Sequence, residues 1–386
     1  MARRQGEEVV RLEGRRLIEP ARRLLARLRP VGAERDRAGN RKLYFDQYVA
    51  LLLLYFFTPT LTSLRSLQQA SNWEQTRRKL GIQRTSLGSL SEAASVFDAK
   101  YLRAVIQELA CQSKTLVPGP EAKALEGLTA VDGKFFAALP RMVWALWEKK
   151  SLQRGVKLHL HFDVLRGVPC DALLTPAACS EPGLLQSMLQ AGRLYVLDRG
   201  YASYELFAGI LAAGSSLVAR VKDNIAFTVR EERPLDDDAR RAGVICDTLI
   251  GRLGTSHHTN HFRERTLRLV VVRTEDRSGP SELWLLTDRL DLPADVVALA
   301  YRHRWSVELF FRWLKCVLGA RHLVSQRQNG VTIQMYAAMI VSLLIVLHTG
   351  RKPTKRTFET IQFYLAGWVS EAEFDAHLAS LKKIDA

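Results

Sequence analysis

Three acids stand where this chain could hold a divalent cation. Asp132 and Asp198 each close a short apolar run, Leu128-Thr-Ala-Val131 and Leu194-Tyr-Val-Leu197. Glu308 stands among cations and aromatics in Tyr301-Arg-His-Arg304-Trp-Ser-Val-Glu308-Leu-Phe-Phe-Arg312-Trp-Leu-Lys315. Hard Mg²⁺ ions are held by one or two carboxylates each and take their remaining ligands from water and substrate phosphate. Two such ions clamp the attacking and leaving oxygens of an in-line displacement at phosphorus. Two acids at strand ends and one on a helix would suffice for that chemistry.

The elements that must position them are readable from spacing. The segment Tyr301 to Lys315 has no Gly or Pro and reads as one helix. At about 100° per residue, Tyr301, Arg304, Glu308, Arg312 and Lys315 fall within a stripe of roughly 80°, a narrow polar seam that leaves only Arg302, His303 and Ser306 as polar residues elsewhere on the helix. One acid among three bases and a phenol suits a phosphate next to a metal. The competing reading is an amphipathic surface helix whose i,i+4 pairs are worth ~0.2 to 0.5 kcal/mol each. An Asp just beyond a strand, as in Leu197-Asp198-Arg199-Gly200-Tyr201, is well placed for a ligand, because α/β sheets bind beyond the carboxyl ends of their strands; an Asp that caps a turn is the alternative. Asp132-Gly133 is also a common turn dipeptide.

The residues carry a resemblance to the IS4 family of DDE transposases. The family's Y-x2-R-x3-E-x6-K signature matches Tyr301, Arg304, Glu308 and Lys315 without a gap, and its D-R-G-Y element matches Asp198, Arg199, Gly200 and Tyr201. Asp132-Gly133 fits the first acid, Gly155-Val-Lys-Leu-His-Leu the hairpin strand after it, and Gln328-Asn329-Gly330-Val331 the segment after the catalytic helix. The similarity covers about residues 44 to 350; the first 43 residues depart from it. The resemblance implies Asp132, Asp198 and Glu308 as catalytic metal ligands for two Mg²⁺ or Mn²⁺ ions. It places Tyr301, Arg304, Lys315, Arg199 and Arg312 on DNA phosphates. It further implies terminal inverted repeats and target DNA as partners, a homodimer in a synaptic complex, and cut-and-paste cleavage and strand transfer. Trp284, in Leu283-Trp284-Leu285-Leu286-Thr287, resembles the aromatic on which relatives that pass through a DNA hairpin stack an extruded base. Plain burial is the other reading of that indole.

Composition agrees with an anionic partner. The 386 residues carry a formal net charge of +16, which favours nucleic acid or an anionic membrane. Residues 1 to 43 hold thirteen Lys/Arg against six Asp/Glu, with apolar residues interleaved, which suggests helical pieces. Five cysteines without a CxxC pair point to a reducing compartment, and Met1 to Glu8 lacks the apolar stretch of a secretory signal. The apolar runs Tyr48 to Phe57 and Met335 to Leu347 fall short of the ~20 residues a membrane span needs. A cytoplasmic, nucleoid-associated protein without a membrane role is therefore expected.

Four segments are expected: a basic arm over 1–43, a helical DNA-binding domain over 44–117, a catalytic domain over 121–350 and a C-terminal helical segment over 351–386. Val117-Pro118-Gly119-Pro120 is the clearest linker. After it, short β-rich segments alternate with helical patterns, so an RNase H-like mixed α/β sheet flanked by helices is expected. A β-rich insertion over about 222–287 interrupts it. His159, His161 and Asp163 alternate as on a half-exposed strand; His257, His258 and His261 read as a polar loop without the thiolates of a zinc site. No phosphate-binding loop, dinucleotide fingerprint or serine-hydrolase elbow is present. A nuclease of the same fold without a joining step, and an inactive DNA-binding relic or repressor, are the rival functions.

Overall fold

The computed structural model describes residues 15–32, 39–117, 119–137, 142–145, 155–176, 179–254, 262, 265–276, 279–317 and 323–382. The chain divides into two compact units, one of Met1–Gln112 with Trp313–Ala386 and one of Ser113–Arg312.

The first unit is helical. It begins with α1 (Arg15–Ala26), α2 (Phe45–Phe57), α3 (Leu64–Ala70), α4 (Glu74–Leu80), α5 (Leu87–Val96) and α6 (Lys100–Gln112). Leu17, Ala21, Leu24, Leu25 and Leu28 recur at helical spacing and are buried, while Arg22 and Arg23 face outward. Arg27 pairs with Glu108 at 2.8 Å and Arg29 with Asp46 at 3.3 Å, so the described part of the basic front is built into this unit. Ser63 and Ser86 start α3 and α5 by accepting from the backbone N–H of Ser66 and Ser89, the satisfaction an N-terminal turn needs.

The second unit opens with α7 (Pro120–Ala124) and continues through β1 (Leu128–Ala137), β2 (Gly155–Asp163), β3 (Val168–Pro176), α8 (Glu181–Met188), β4 (Leu194–Leu197), α9 (Tyr204–Ala212) and β5 (Ser216–Val221). It goes on through β6 (Phe227–Glu232), α10 (Asp237–Arg241), β7 (Val244–Leu253), β8 (Leu267–Asp276), β9 (Gly279–Thr287) and α11 (Ala294–Arg302), and ends within α12 (Trp305–Val317). One sheet of nine strands runs β3-β2-β1-β4-β5-β9-β8-β7-β6. β1, β2 and β3 are antiparallel neighbours, whereas β4 lies parallel to β1 and β5 parallel to β4. Parallel neighbours need crossovers, which α8 and α9 supply. This is the expected RNase H-like mixed sheet. The strands expected as an insertion do not form a sheet of their own: β9 pairs antiparallel with β5, and β8, β7 and β6 extend the same sheet. β6 escaped the sequence reading because its Thr228 to Glu232 are exposed and mostly polar on an edge strand.

Period-two alternation sorts the side chains. Val131, Tyr195, Leu197, Ala219, Val221 and Leu286 share a core with α8 and α9 residues such as Leu185 and Phe207. Their strand neighbours Ala130, Val196, Val218 and Leu285 face the other side. β2 is buried on both faces, with Phe162 against Phe310 at 5.2 Å and His161 edge-on to Tyr195 at 5.6 Å. The polar alternation of His159, His161 and Asp163 is therefore not the mark of a half-exposed strand. His159 meets the Thr175 hydroxyl at 2.9 Å, and Asp163 is answered by Arg166 at 2.9 Å and Arg193 at 3.5 Å.

The expected single helix over Tyr301 to Lys315 is two. α11 ends at Arg302, His303 and Arg304 form a turn, and α12 begins at Trp305. The bonds Arg304 N to Tyr301 O, Ser306 N to His303 O and Val307 N to Arg304 O all close over three residues, which tightens and redirects the chain. Nothing local demands the break. Packing does, since α11 lies on β4, β5 and β9 while Phe310 of α12 reaches β2.

The first unit then resumes with α13 (Gln328–Thr349), α14 (Lys355–Leu365) and α15 (Glu371–Lys382). Residues 313–317 and 323–350, joined to the sheet in the sequence reading, cluster with the helices: α13 packs on α1, α2, α5 and α6. The Asn329 amide donates to the carbonyls of Ala94 and Phe97. At 22 residues α13 is longer than its apolar run suggests, and it is long and apolar enough to cross a membrane; 89% of its apolar window is buried inside the protein, the pattern of a core helix.

Candidate active site

The register of β1 on β4 brings the two aspartates together. Ala130 pairs with Val196, and two residues further along each parallel chain stand Asp132 and Asp198. Alternation turns Asp132 away from the Val131 core, toward the face that carries Phe310. Asp132 Oδ1 accepts from Gly133 N at 2.8 Å, and Asp198 Oδ1 accepts from Gly200 N at 2.8 Å. Asp198 thus caps a single 3-10 turn, Arg199–Tyr201. Capping and ligand duty are compatible, since the cap occupies one carboxylate oxygen.

Glu308 comes from the first turn of α12 and accepts from Arg304 Nη2 at 2.7 Å. The field of these groups overlaps. Burial pushes the Asp132 carboxyl up to about 6; the Gly133 N–H opposes the rise, the charges of Asp198 and Glu308 add to it, and Arg304 opposes it. Burial also raises the Tyr301 phenol, which lies in the fields of Arg304, Arg220 and Asp198. Burial works against the Arg304 charge, yet its bond to Glu308 and the nearby Tyr301 and Asp198 hold its pKa above the ordinary value. Asp132, Asp198, Glu308, Tyr301 and Arg304 are therefore one electrostatic cluster.

Residues 123–344 match the model of the Transposase DDE domain. The chain belongs to this transposase family. The y4zB transposase of Sinorhizobium fredii is 28% identical over 201 residues, 52% of this chain and 55% of that protein. The transposase for insertion sequence element IS5377 of Geobacillus stearothermophilus is 27% identical over 205 residues, 53% and 52% of the two chains. The chain thus spans about half the length of the curated relatives it matches. A piggyBac transposase synaptic complex with hairpin DNA superposes with a TM-score of 0.45 at 10% identity, over 94% of this chain and 82% of that one.

Transposase DDE domains generally use divalent metal ions. Among the described residues no three His, Cys, Asp or Glu side chains stand close enough together to hold one, and Glu308 is engaged by Arg304. The donor set nevertheless fits. All three acids are hard oxygen donors, and their mutual repulsion at Asp132 is what a cation placed among them would relieve.

The other residues expected at the site are distributed as follows. Arg199 and Arg312 are exposed, and Lys315, half-buried, lies further along α12, past the division of the chain. Trp284 is half-buried on the opposite face of β9 from Leu283 and Leu285, edge-on to Phe227 at 6.3 Å, with Nε1 donating to Glu282 at 3.2 Å. His257, His258 and His261 lie outside the described residues. Two features of this transposase domain were missed from the sequence. A cavity of about 260 Å³ is lined by Tyr301, Arg302, Arg304 and Trp305 together with Arg273 and Leu285. Glu181, on the first turn of α8, stands beside Gly133 and Gly200. Neither Arg273 nor Glu181 carries a local signal, because each is brought to the site by pairing across the sheet or by a crossover.

Proposed function

We propose that this transposase domain cuts and joins DNA by metal-assisted phosphoryl transfer, with Asp132, Asp198 and Glu308 holding two Mg²⁺ or Mn²⁺ ions. The observation that carries the reading is the register that sets Asp132 beside Asp198 within the field of Glu308 and Arg304. Ions bound there would supply neutralisation of the charge that builds on the phosphoryl oxygens. The chain's own groups do the rest. Tyr301 and Arg304 bind and orient the phosphate, and Arg304 is free to do so once it releases Glu308. Arg199, Arg312 and Lys315 extend the phosphate contacts along the DNA. The substrate reading is that of an insertion sequence of the IS4 type: terminal inverted repeats gripped by the helical unit, target DNA, and a synaptic homodimer in the nucleoid. The names of its relatives support this reading, one of them serving an insertion sequence element.

The test is a nicking and strand-transfer assay on repeat-bearing DNA. Replacing Asp132, Asp198 or Glu308 by Ala is expected to slow nicking at least about 10³-fold while DNA binding is kept. A variant that cuts at the wild-type rate removes its residue from the site. Nicking without joined products would mean a nuclease instead.

A further inference from the structure

Behind the two aspartates stands a fourth acid that the triad does not use. Glu181 Oε1 accepts from Lys157 Nζ at 2.7 Å, and both side chains are largely covered. A methyl group placed on Gly133 would lie 2.6 Å from Glu181 Oε1, and one on Gly200 would lie 3.9 Å from Oε2. The Glu181 carboxylate therefore spans the backbone of the residues that immediately follow Asp132 and lie two beyond Asp198. A side chain at position 133 would push this carboxylate away, whereas one at position 200 would meet it at ordinary van der Waals distance.

Tyr201 supplies a second, independent observation. It is 1% exposed, and its hydroxyl has no hydrogen-bond partner among the described residues. Buried hydroxyls are ordinarily paired, and an exception calls for an explanation. The Tyr201 ring packs in the Val131 core, and charges of the candidate site act on its hydroxyl. Burial raises its pKa, and the charges of Glu181, then Asp132, then Asp198 raise it further. A phenol hydroxyl can donate one hydrogen bond, and the unpartnered one of Tyr201 lies in the field of the acids at the site.

We propose that Glu181 and Tyr201 are positioning residues for the divalent-cation site: Lys157 fixes Glu181 against the Gly133 and Gly200 backbone, and the Tyr201 hydroxyl donates to the aspartate pair when a cation draws it together. The inference rests on the metal-binding reading above. Groups that orient metal ligands in this way change metal affinity about 10- to 100-fold when removed.

The experiment uses Mn²⁺ as probe, with calorimetry on the full chain and thermal melts with and without the ion. Glu181→Gln and Tyr201→Phe are expected to weaken Mn²⁺ binding about 10-fold or more and to shrink the melting shift the ion produces. Tyr201→Phe should leave the metal-free melting temperature within a degree or two, about the resolution of such a measurement. Mn²⁺ affinity within about twofold of wild type in both variants, a far smaller change than positioning groups show, overturns the proposal. So does complete loss of binding in Glu181→Gln, which would make Glu181 a ligand. A wild-type chain that binds no Mn²⁺ would overturn the metal-binding reading itself, and this inference with it.

Discussion

Arg304 donates from Nη2 to Glu308 Oε1 at 2.7 Å, from within the turn that separates α11 from α12. The pair is only 16% and 24% exposed, so it is shielded better than a surface i,i+4 pair. A guanidinium in this place restrains the acid, and in the function proposed above it also takes the phosphate. Arg304→Ala is expected to leave metal affinity unchanged or tighter, because Glu308 loses a competitor. Cleavage in a single turnover should fall by about 10²- to 10³-fold, the usual cost of losing one donor to a charged transition state. Loss of metal binding in calorimetry would assign Arg304 to holding Glu308 in place instead.

A second ion pair is purely architectural. Arg268 grips Asp247 with two bonds of 2.7 Å, and both are almost fully buried. Arg268 also donates to the Leu292 carbonyl, which ties β7 and β8 to the chain entering α11. Asp247→Asn leaves the guanidinium charge uncompensated in the interior, so urea melts should show a loss of about 3 to 5 kcal/mol. The double variant Asp247→Leu with Arg268→Met should recover most of it. If the single change costs under about 1 kcal/mol, the pair is solvated in a way its burial does not suggest.

Acid should weaken the sheet through His159. Burial, with Lys157 adding to it, lowers the imidazole from 6.5 to about 4. Between those values the unfolded chain binds a proton that the folded chain refuses, so this contribution to stability is complete above about pH 6.5 and is lost as pH falls toward 4. The slope amounts to at most about 1.4 kcal/mol per pH unit. In denaturant melts over that range, His159→Gln should show a correspondingly shallower pH dependence. A variant with the wild-type slope would mean that other groups set it.

For Trp284 the structure favours packing, since the ring lies against Phe227 and the core shared by Tyr201 and Phe207. Trp284→Ala should cost about 2 to 3 kcal/mol, less than a fully buried Trp because the ring is half-exposed, and Trp284→Phe less again. Nicking and any hairpin products should then decline together. A variant of unchanged stability that nicks normally yet forms no hairpin would show that the ring stacks on an extruded base.

Much of the candidate site is legible in the sequence, because its parts are local. A strand that ends in an acid needs only an apolar run and a turn, so Leu194 to Leu197 with Asp198, and Leu128 to Val131 with Asp132, are legible as they stand. The spacing Tyr301, Arg304, Glu308 is legible too, although the helix that spacing suggested is broken. What tertiary structure alone decided is which partners meet. Pairing of β1 with β4 puts two aspartates 66 positions apart in sequence side by side. Packing on different strands bends the chain at His303 and Arg304, where no Gly or Pro marks it. The same long-range pairing hides His159, His161 and Asp163 in the sheet and brings Glu181 behind the aspartates. Sequence periodicity reports how one element divides its surface, whereas burial on the second face, a helix break and a cross-sheet contact depend on elements distant in the chain.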